Sequence, residues 1–573
     1  MKQKITFLMV LFIVSFGFAQ SKTAKGQKTA ASITFTGFST GNWGAAGNWS
    51  TASVPTSADD VIIPNGKIVN LNSTTAFALS LNINSGGTLQ IANGKSLKVT
   101  NALTNNGTLT ITSDASLSPS LIVGSFSGSS ITYQRYLTGG STWHLISSPV
   151  TASQTIAAFI ASFGGSMTQS GVDYSLAPYD NTFPAGGNTW VHYTTGAGTN
   201  LPPASSFVDG KGYEILMNGD GTVDFTGNIL TTGKDITLTE NTTGWNLIGN
   251  PYTSYLAMNS NANATNFLGT NSASLDPSFV SIYVWNPTNS SYDIYNQASA
   301  ARTLAPGQGF FVKSKAGGGV LATFTTGMQL NSGNAFQKTA SNIPTISLSV
   351  DNNSGIVSST QIKYMSGTTL GLDPGYDAGR FGAVGTGFNV YTHLVQDNGV
   401  AFALQVVPET GYDTTVIPIG LDASAGTQIT FKANATDLPV GKKVFLEDKL
   451  LSTVTEINNS DKFYTVTLSA DLSGIGRFYM HTLDNASTLA IDDFTASKYL
   501  LIASPETQNI RLYGTVAEKG ALAIYDSLGR MIYRTSLQTG TEQDIKVPKM
   551  SAGVYFVKIS VDKKPFSKKI VWY

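Results

Sequence analysis

The sequence predicts an all-β, multidomain protein: a short N-terminal β-solenoid-like segment, tandem β-sandwich units, and a C-terminal immunoglobulin-like β-sandwich. Three observations carry that expectation. The chain has 573 residues and 58 glycines, yet only 12% of its residues are charged, about half the usual share of roughly 25%. Ser, Thr, Asn and Gly therefore make the surface, and these residues favour turns and strands over long exposed helices. Short runs alternate apolar and polar residues between Gly and Asn breaks, the period-2 signature of half-buried strands. A set of landmark motifs also recurs about a hundred residues apart, as repeated structural units do.

The elements follow in order. Lys2 and Lys4 precede an apolar run from Ile5 to Phe18, and Gly17-Phe18-Ala19 ends it with small residues. Residues 1–19 are expected to be a signal peptide cut between Ala19 and Gln20. An apolar run of about 14 residues falls short of the ~20 that span a bilayer. Residues 20–132 hold Gly41-Asn-Trp43 and Gly47-Asn-Trp49, then Leu79-Ser-Leu81-Asn-Ile83, Gly87-Thr-Leu89-Gln-Ile91 and Asn106-Gly107-Thr-Leu109-Thr-Ile111. Such recurrence suggests stacked rungs, each covering its neighbour's apolar face. The segment resembles the short β-solenoid pieces of Bacteroidota surface proteins; a plain sandwich is the alternative.

Residues 133–236 and 237–340 form two related units. Trp143-His-Leu145-Ile146-Ser-Ser-Pro149 matches Trp245-Asn-Leu247-Ile248-Gly-Asn-Pro251. Tyr179 before Trp190 matches Trp285 before Tyr292, and Gly210-Lys-Gly212-Tyr213 matches Gly307-Gln-Gly309-Phe310. The aromatic positions read as core packing, with a sugar-stacking platform as the rival. In residues 341–485, short strand candidates such as Ile346-Ser-Leu348-Ser-Val350 and Phe463-Tyr-Thr-Val-Thr-Leu468 suggest an antiparallel sandwich. Residues 486–573 alternate clearly at Leu522-Ala-Ile524-Tyr525-Asp526, turn at Asp526 to Gly529, and fit a sandwich of about seven strands.

Lys plus Arg and Asp plus Glu each number 35. A nucleic-acid partner is not expected, because phosphate binding needs clustered positive charge. Cysteine is absent, which excludes a disulfide framework, thiolate metal sites and a cysteine nucleophile. The four histidines, His144, His192, His393 and His481, lack metal-ligand spacing. Gly37-Phe38-Ser39-Thr40-Gly41 has the letters of a nucleophile elbow, but a Gly/Trp/Asn loop follows it where the chemistry needs a helix. Carboxylates are the remaining site formers. Asp373, Asp377, Glu447 and Asp448 would suit Ca²⁺ if loops brought them together. The alternative is structural: Asp377 bracing a turn, and Glu447 or Asp448 pairing with Arg380. No catalytic residue, cofactor or metal is expected.

The last segment resembles the type A C-terminal sorting domain of type IX secretion substrates in Bacteroidota. The resemblance lies in Ile524-Tyr525-Asp526-x-x-Gly529-Arg530, in Ser551-Ala-Gly553-Val-Tyr555-Phe-Val-Lys558, and in Lys568-Lys569-Ile-Val571. It departs from the family in reading Ala503-Ser504-Pro505 where an Asn-Pro pair is usual. The resemblance implies export by the type IX machinery, removal of the domain by a sortase-like protease, and attachment to anionic lipopolysaccharide or release. The 341–485 unit is similar to a sandwich that often precedes this domain, through Asp373-Pro-Gly-Tyr376-Asp377-Ala-Gly-Arg380 and Phe445-Leu-Glu447-Asp448-Lys-Leu450. The Trp-x-Leu-Ile-x-x-Pro units resemble modules of flavobacterial surface proteins. The function expected is that of a non-enzymatic secreted or cell-surface protein, adhesin-like or structural, with an extracellular glycan or surface ligand as the partner to look for. The alternative is a secreted polysaccharide-degrading enzyme or a carbohydrate-binding accessory to one.

Overall fold

A computed structural model describes residues 31–572, apart from 183–188, 197, 199, 289, 334–342, 383–386, 485–499, 505–507, 517–519 and 562–563. The Ala19–Gln20 cleavage position lies outside the described residues. The fold is nearly all β, with a solenoid-like N-terminal part and a C-terminal sandwich.

The solenoid is made of two parallel sheets. One contains Ala31–Thr34, Asp59–Ile63, Ser80–Ile83, Ser96–Asn105 and Ser120–Gly128. The other contains Thr40–Asn42, Ile68–Leu71, Thr88–Ile91, Thr108–Thr112 and Ile131–Leu137. Apolar residues stack in register: Val69 on Leu89 on Leu109, and Val61 on Leu81. Each rung is too short to bury its own face, so stacking supplies the core. The turns must also stack, and this is where glycine is required. A Cβ on Gly107 would lie 2.2 Å from the Gly87 carbonyl oxygen below it. In the first rung, the two Gly-Asn-Trp motifs turn Trp43 and Trp49 inward, 5.0 Å apart edge to face, with Trp49 Nε1 donating to Trp43 O at 2.8 Å.

The solenoid sheet runs on into the first repeat. Ile131–Leu137 pairs in parallel with Thr108–Thr112 and antiparallel with Gly221–Gly227. One hydrophobic core accordingly extends from Ile33 to Ile229. The first repeat also holds a short helix, Ile156–Phe163, which the alternation did not suggest. Thr155 caps it by accepting from Ala158 N at 3.1 Å, and Ile156, Phe159 and Ile160 face the core at helical spacing.

The two repeats share a topology. Trp143–Ile146, Tyr213–Leu216 and Leu176–Pro178 are ordered as Trp245–Gly249, Gly309–Lys313 and Ile282–Asn286 are. The register is the same as well. Trp143 faces Leu216 and Ile146 faces Tyr213; Trp245 faces Lys313 and Ile248 faces Phe310. The motif pairs Tyr179–Trp190 and Trp285–Tyr292 are directly opposed on neighbouring segments in both copies.

Residues 345–483 build one continuous 11-stranded sheet rather than two separate ones. It curls around a single core that joins Ile346, Leu348 and Phe431 to Ile457, Phe478 and Met480. Its pairing is mostly antiparallel, but Val357–Met365 and Phe402–Pro408 run parallel. The final unit has two sheets, of three and four strands, around a core containing Leu522, Ile524, Val557, Ile559 and Trp572.

Candidate functional site

The repeats meet face to face about a local pseudo-two-fold axis. Ile146 bridges to Gln308 of the second repeat, and Ile248 bridges to Lys211 of the first, its equivalent contact. Ser147 N donates to Gly307 O at 2.9 Å, and Gly249 N donates to Gly210 O at 2.8 Å. Reciprocal contacts of this kind define an isologous interface. The axis passes beside Gly249, where a Cβ would lie 2.4 Å from the Cβ of Ser147. Aromatic rings fill the seam. Phe311 packs on Tyr179 at 4.8 Å, Trp190 at 6.1 Å and Tyr292 at 5.8 Å, and Trp285 Nε1 donates to Trp143 O at 3.0 Å. Trp245 is buried, whereas Trp143, Trp190 and Trp285 are half-buried. Beside Trp143, His192 Nε2 meets the buried Glu214 carboxylate at 3.0 Å. Burial pushes the Glu214 carboxyl up, and the His192 hydrogen bond opposes that shift. Neither residue had a sequence signal, because they approach from separate segments.

The Asp373-to-Arg380 motif forms the joint between the second repeat and the curled sheet. Asp377 is fully buried, with Oδ2 accepting from Asp373 N at 2.8 Å and Oδ1 from Val406 N at 2.7 Å. Gln297 N donates to Gly375 O at 2.9 Å, Tyr283 Oη donates to Gly379 O at 2.7 Å, and the Asn296 amide bonds Tyr376 O. Phe381, one residue past the motif, enters the seam 4.4 Å from Trp245 and 4.2 Å from Tyr292. Lys363 crosses the same joint: its Nζ donates to Ala298 O at 2.8 Å, and burial lowers its pKa to about 8. The turn-bracing alternative for Asp377 therefore describes what this carboxylate does.

The pairing expected for Glu447 and Asp448 needs correction. Asp448 binds Arg477, not Arg380. Arg477 Nη2 lies 2.8 Å from Oδ2, and Tyr464 Oη and the Leu450 N–H add bonds at 2.8 and 2.9 Å. Glu447 pairs with His481 at 2.9 Å. The reason lies in the sheet register: Lys443–Asp448 lies beside Phe478–Leu483 with Tyr479 opposite Glu447 and Phe478 opposite Asp448, which leaves His481 and Arg477 two and one residues along the neighbouring segment, within reach of the two carboxylates. Among the described residues, no group of three or more His, Cys, Asp or Glu side chains could hold a metal. The two glycines of the Gly-x-Ser-x-Gly segment pack against one side chain. Gly37 and Gly41 close over Asn48, and a Cβ on either would lie 2.7 or 2.8 Å from its amide.

The sorting-motif residues cluster around one hairpin and its neighbours. Asp526 accepts from Leu528 N at 3.0 Å, Arg530 N at 2.9 Å and Arg530 Nε at 2.7 Å. The Arg530 backbone bond, foremost, holds the Asp526 carboxyl below its ordinary range. Gly529 closes the turn with φ of 79°, a conformation that favours glycine. Tyr525 is half-buried and stands between Met531 and Phe556 in register. Tyr555 is buried and donates to Ser551 O at 2.8 Å. Gly553 and Lys558 are exposed, and the Lys569 backbone pairs with Phe556.

Residues 34–481 match the model of a family described as a domain of unknown function, DUF8693. Residues 504–572 match a secretion system C-terminal sorting domain. That second match supports a type IX secretion cargo and implies interaction with the type IX machinery, export, and a cell-surface or secreted location. No curated protein matches the chain. Among solved structures, a biofilm-associated protein's BSP domain shares 10% identity over 78% of this chain and 96% of its own, with a TM-score of 0.15. The extracellular domain of a putative hybrid two-component system from B. thetaiotaomicron shares 10% over 67% and 64%, with a TM-score of 0.09. Scores this low carry no argument about fold or function.

Proposed function

The chain belongs to the family whose domain spans residues 34–481, and from that premise we propose that it is a non-enzymatic binding or structural protein, adhesin-like in character, carried outside the cell on a dispensable C-terminal tag. The observation that supports the non-enzymatic reading is how the buried carboxylates are used. Asp377 braces a joint, Asp448 holds Arg477, and Glu447 and Glu214 hold histidines. A hydrolase acting through paired carboxylates needs two of them facing one substrate across a cleft. These carboxylates are instead spent on separate structural partners. The half-buried Trp143, Trp190 and Trp285 favour a carbohydrate-binding accessory as the second reading.

In this proposal, residues 1–19 direct passage through the inner membrane and residues 486–573 direct passage through the outer one. A sortase-like protease then removes the tag, and the body is joined to anionic lipopolysaccharide or released. Bacteroidota is the phylum this route suggests. Deleting residues 486–573 and fractionating the cells tests it. The truncated protein is expected to vanish from the surface and medium and to accumulate in the periplasm. Its continued appearance outside the cell would refute the sorting role. A glycan-array screen of the exported body tests the binding role.

A further inference from the structure

Arg135 lies on Ile131–Leu137 between Tyr133 and Leu137, which are buried. Alternation along a strand puts these three residues on one face, so a cationic side chain points where its neighbours form core. Its Nη1 donates to Ser118 Oγ at 2.9 Å, while its Nε is buried without a hydrogen-bond partner among the described residues. Burial, foremost, holds its pKa down, and the opposing influences come from Tyr133 and Tyr255 rather than from a carboxylate. The side chain is half-buried, and a guanidinium even partly withdrawn from water without a counter-charge is costly.

Beside it lies a cavity of about 170 Å³ lined by residues that include Arg135, His144, Trp285, Gln308 and Gly309. Among the described residues, none that lines it is acidic. His144 is bonded through Nε2 to Thr138, and burial lowers its pKa, with the Arg135 charge adding to that shift. His144 is therefore neutral at pH 7, and Arg135 supplies the positive charge. Trp285 is fixed by its bond to Trp143 O and packs on Tyr292 at 5.1 Å. Gln308 uses its Oε1 to accept from Ala305 N at 3.1 Å, which leaves the amide's N–H₂ as its donor. The wall is thus a guanidinium, an amide donor and an indole, assembled from the solenoid strand and both repeats.

We infer that this cavity binds one carboxylated sugar unit, a uronate, with its carboxylate on Arg135 and its ring against Trp285. The planar guanidinium suits a carboxylate better than an ammonium would, and the bond between them would be charge-assisted. An aromatic face beside a few fixed polar groups is how compact ligands are oriented. This inference deepens the extracellular-binding reading and rests on it.

The test is calorimetric titration of the purified chain at pH 7 with D-glucuronate and D-galacturonate, with D-glucose and inorganic phosphate as comparators. At least one uronate is expected to bind saturably at one site, with glucose weaker by about tenfold or more. Arg135→Gln is expected to lose about tenfold or more in uronate affinity. Because that change touches the core, Gln308→Glu serves as the second variant: it keeps the oxygen that accepts from Ala305 N but replaces the donor with a like charge, weakening the uronate while its melting midpoint stays near that of the parent. No uronate binding by the parent chain, equal affinity for glucose, or parent-like affinity in both variants would overturn the site. Phosphate bound as tightly as the uronates would overturn the assignment to a sugar. The fractionation experiment reads location only, so failure of export and failure of this site are separately visible.

Discussion

Asp377 sits inside the joint between two units, and its protonation is coupled to the stability of that joint. Burial pushes its carboxyl up to about 7, against two backbone N–H bonds that favour the charged form. The folded state therefore holds the proton more tightly than an unfolded Asp near 3.8 does. The stability this confers is complete below the unfolded value and is lost as pH rises through about 7. The purified chain is expected to lose on the order of a few kcal/mol from this group between pH 4 and pH 8. Asp377→Asn should be less stable at pH 4 but flatter across that window, as calorimetry at stepped pH would read. An unchanged slope in the variant would assign the dependence to other groups. At this scale the sequence was half legible. It marked Asp377, Glu447 and Asp448 as motif carboxylates, because turn-forming Asp and Gly residues cluster around the first. It did not reveal Arg477 or His481 as partners, since strand register rather than spacing brings them close. Arg135 gave no signal, because a lone Arg in an alternating run reads as surface.

At the scale of elements, the repeats carry the clearest consequence. Ser147 and Gly249 are equivalent positions that meet beside the pseudo-two-fold axis, and the space holds one side chain rather than two. Gly249→Ser alone is expected to cost about 1–3 kcal/mol through overpacking. Adding Ser147→Gly should restore most of that loss, because the same contact is rebuilt with the partners exchanged. A double-mutant cycle in urea measures the coupling; additive effects would mean that the axis is not where the contacts place it. The tandem repeat was legible because each copy keeps the same Trp-x-Leu-Ile strand and Gly-x-Gly-aromatic turn. Their face-to-face packing was not, since an isologous contact leaves no period in the chain. The solenoid rungs were legible for the opposite reason: each one writes its own apolar alternation between glycine turns.

For the whole molecule, buried contacts run from Ile33 through the two repeats and on through Tyr283 and Gly379 into the curled sheet. The family match from 34 to 481 covers that same span without a break. The sorting sandwich has a core of its own. Scanning calorimetry is therefore expected to resolve a transition that disappears when residues 486–573 are deleted, with the remaining transition at its original temperature. A shifted midpoint would show that the two parts stabilise one another.

The face around Ser118 to Leu121 also constrains the order in which this body can be assembled. Leu121 O accepts from Thr253 Oγ1 across 132 residues of chain, and Ser120 Oγ donates to Leu330 O across 210. Rungs can stack as soon as each is present, since their partners are close in sequence. The far edge of the stack stays uncovered until both repeats have arrived and closed on each other. Closing loops of that length is slow, and a partly covered sheet edge invites pairing with other chains. Refolding should accordingly show a fast phase from the solenoid and a slow one from its closure, and the slow phase sets how long the chain must be kept from its neighbours.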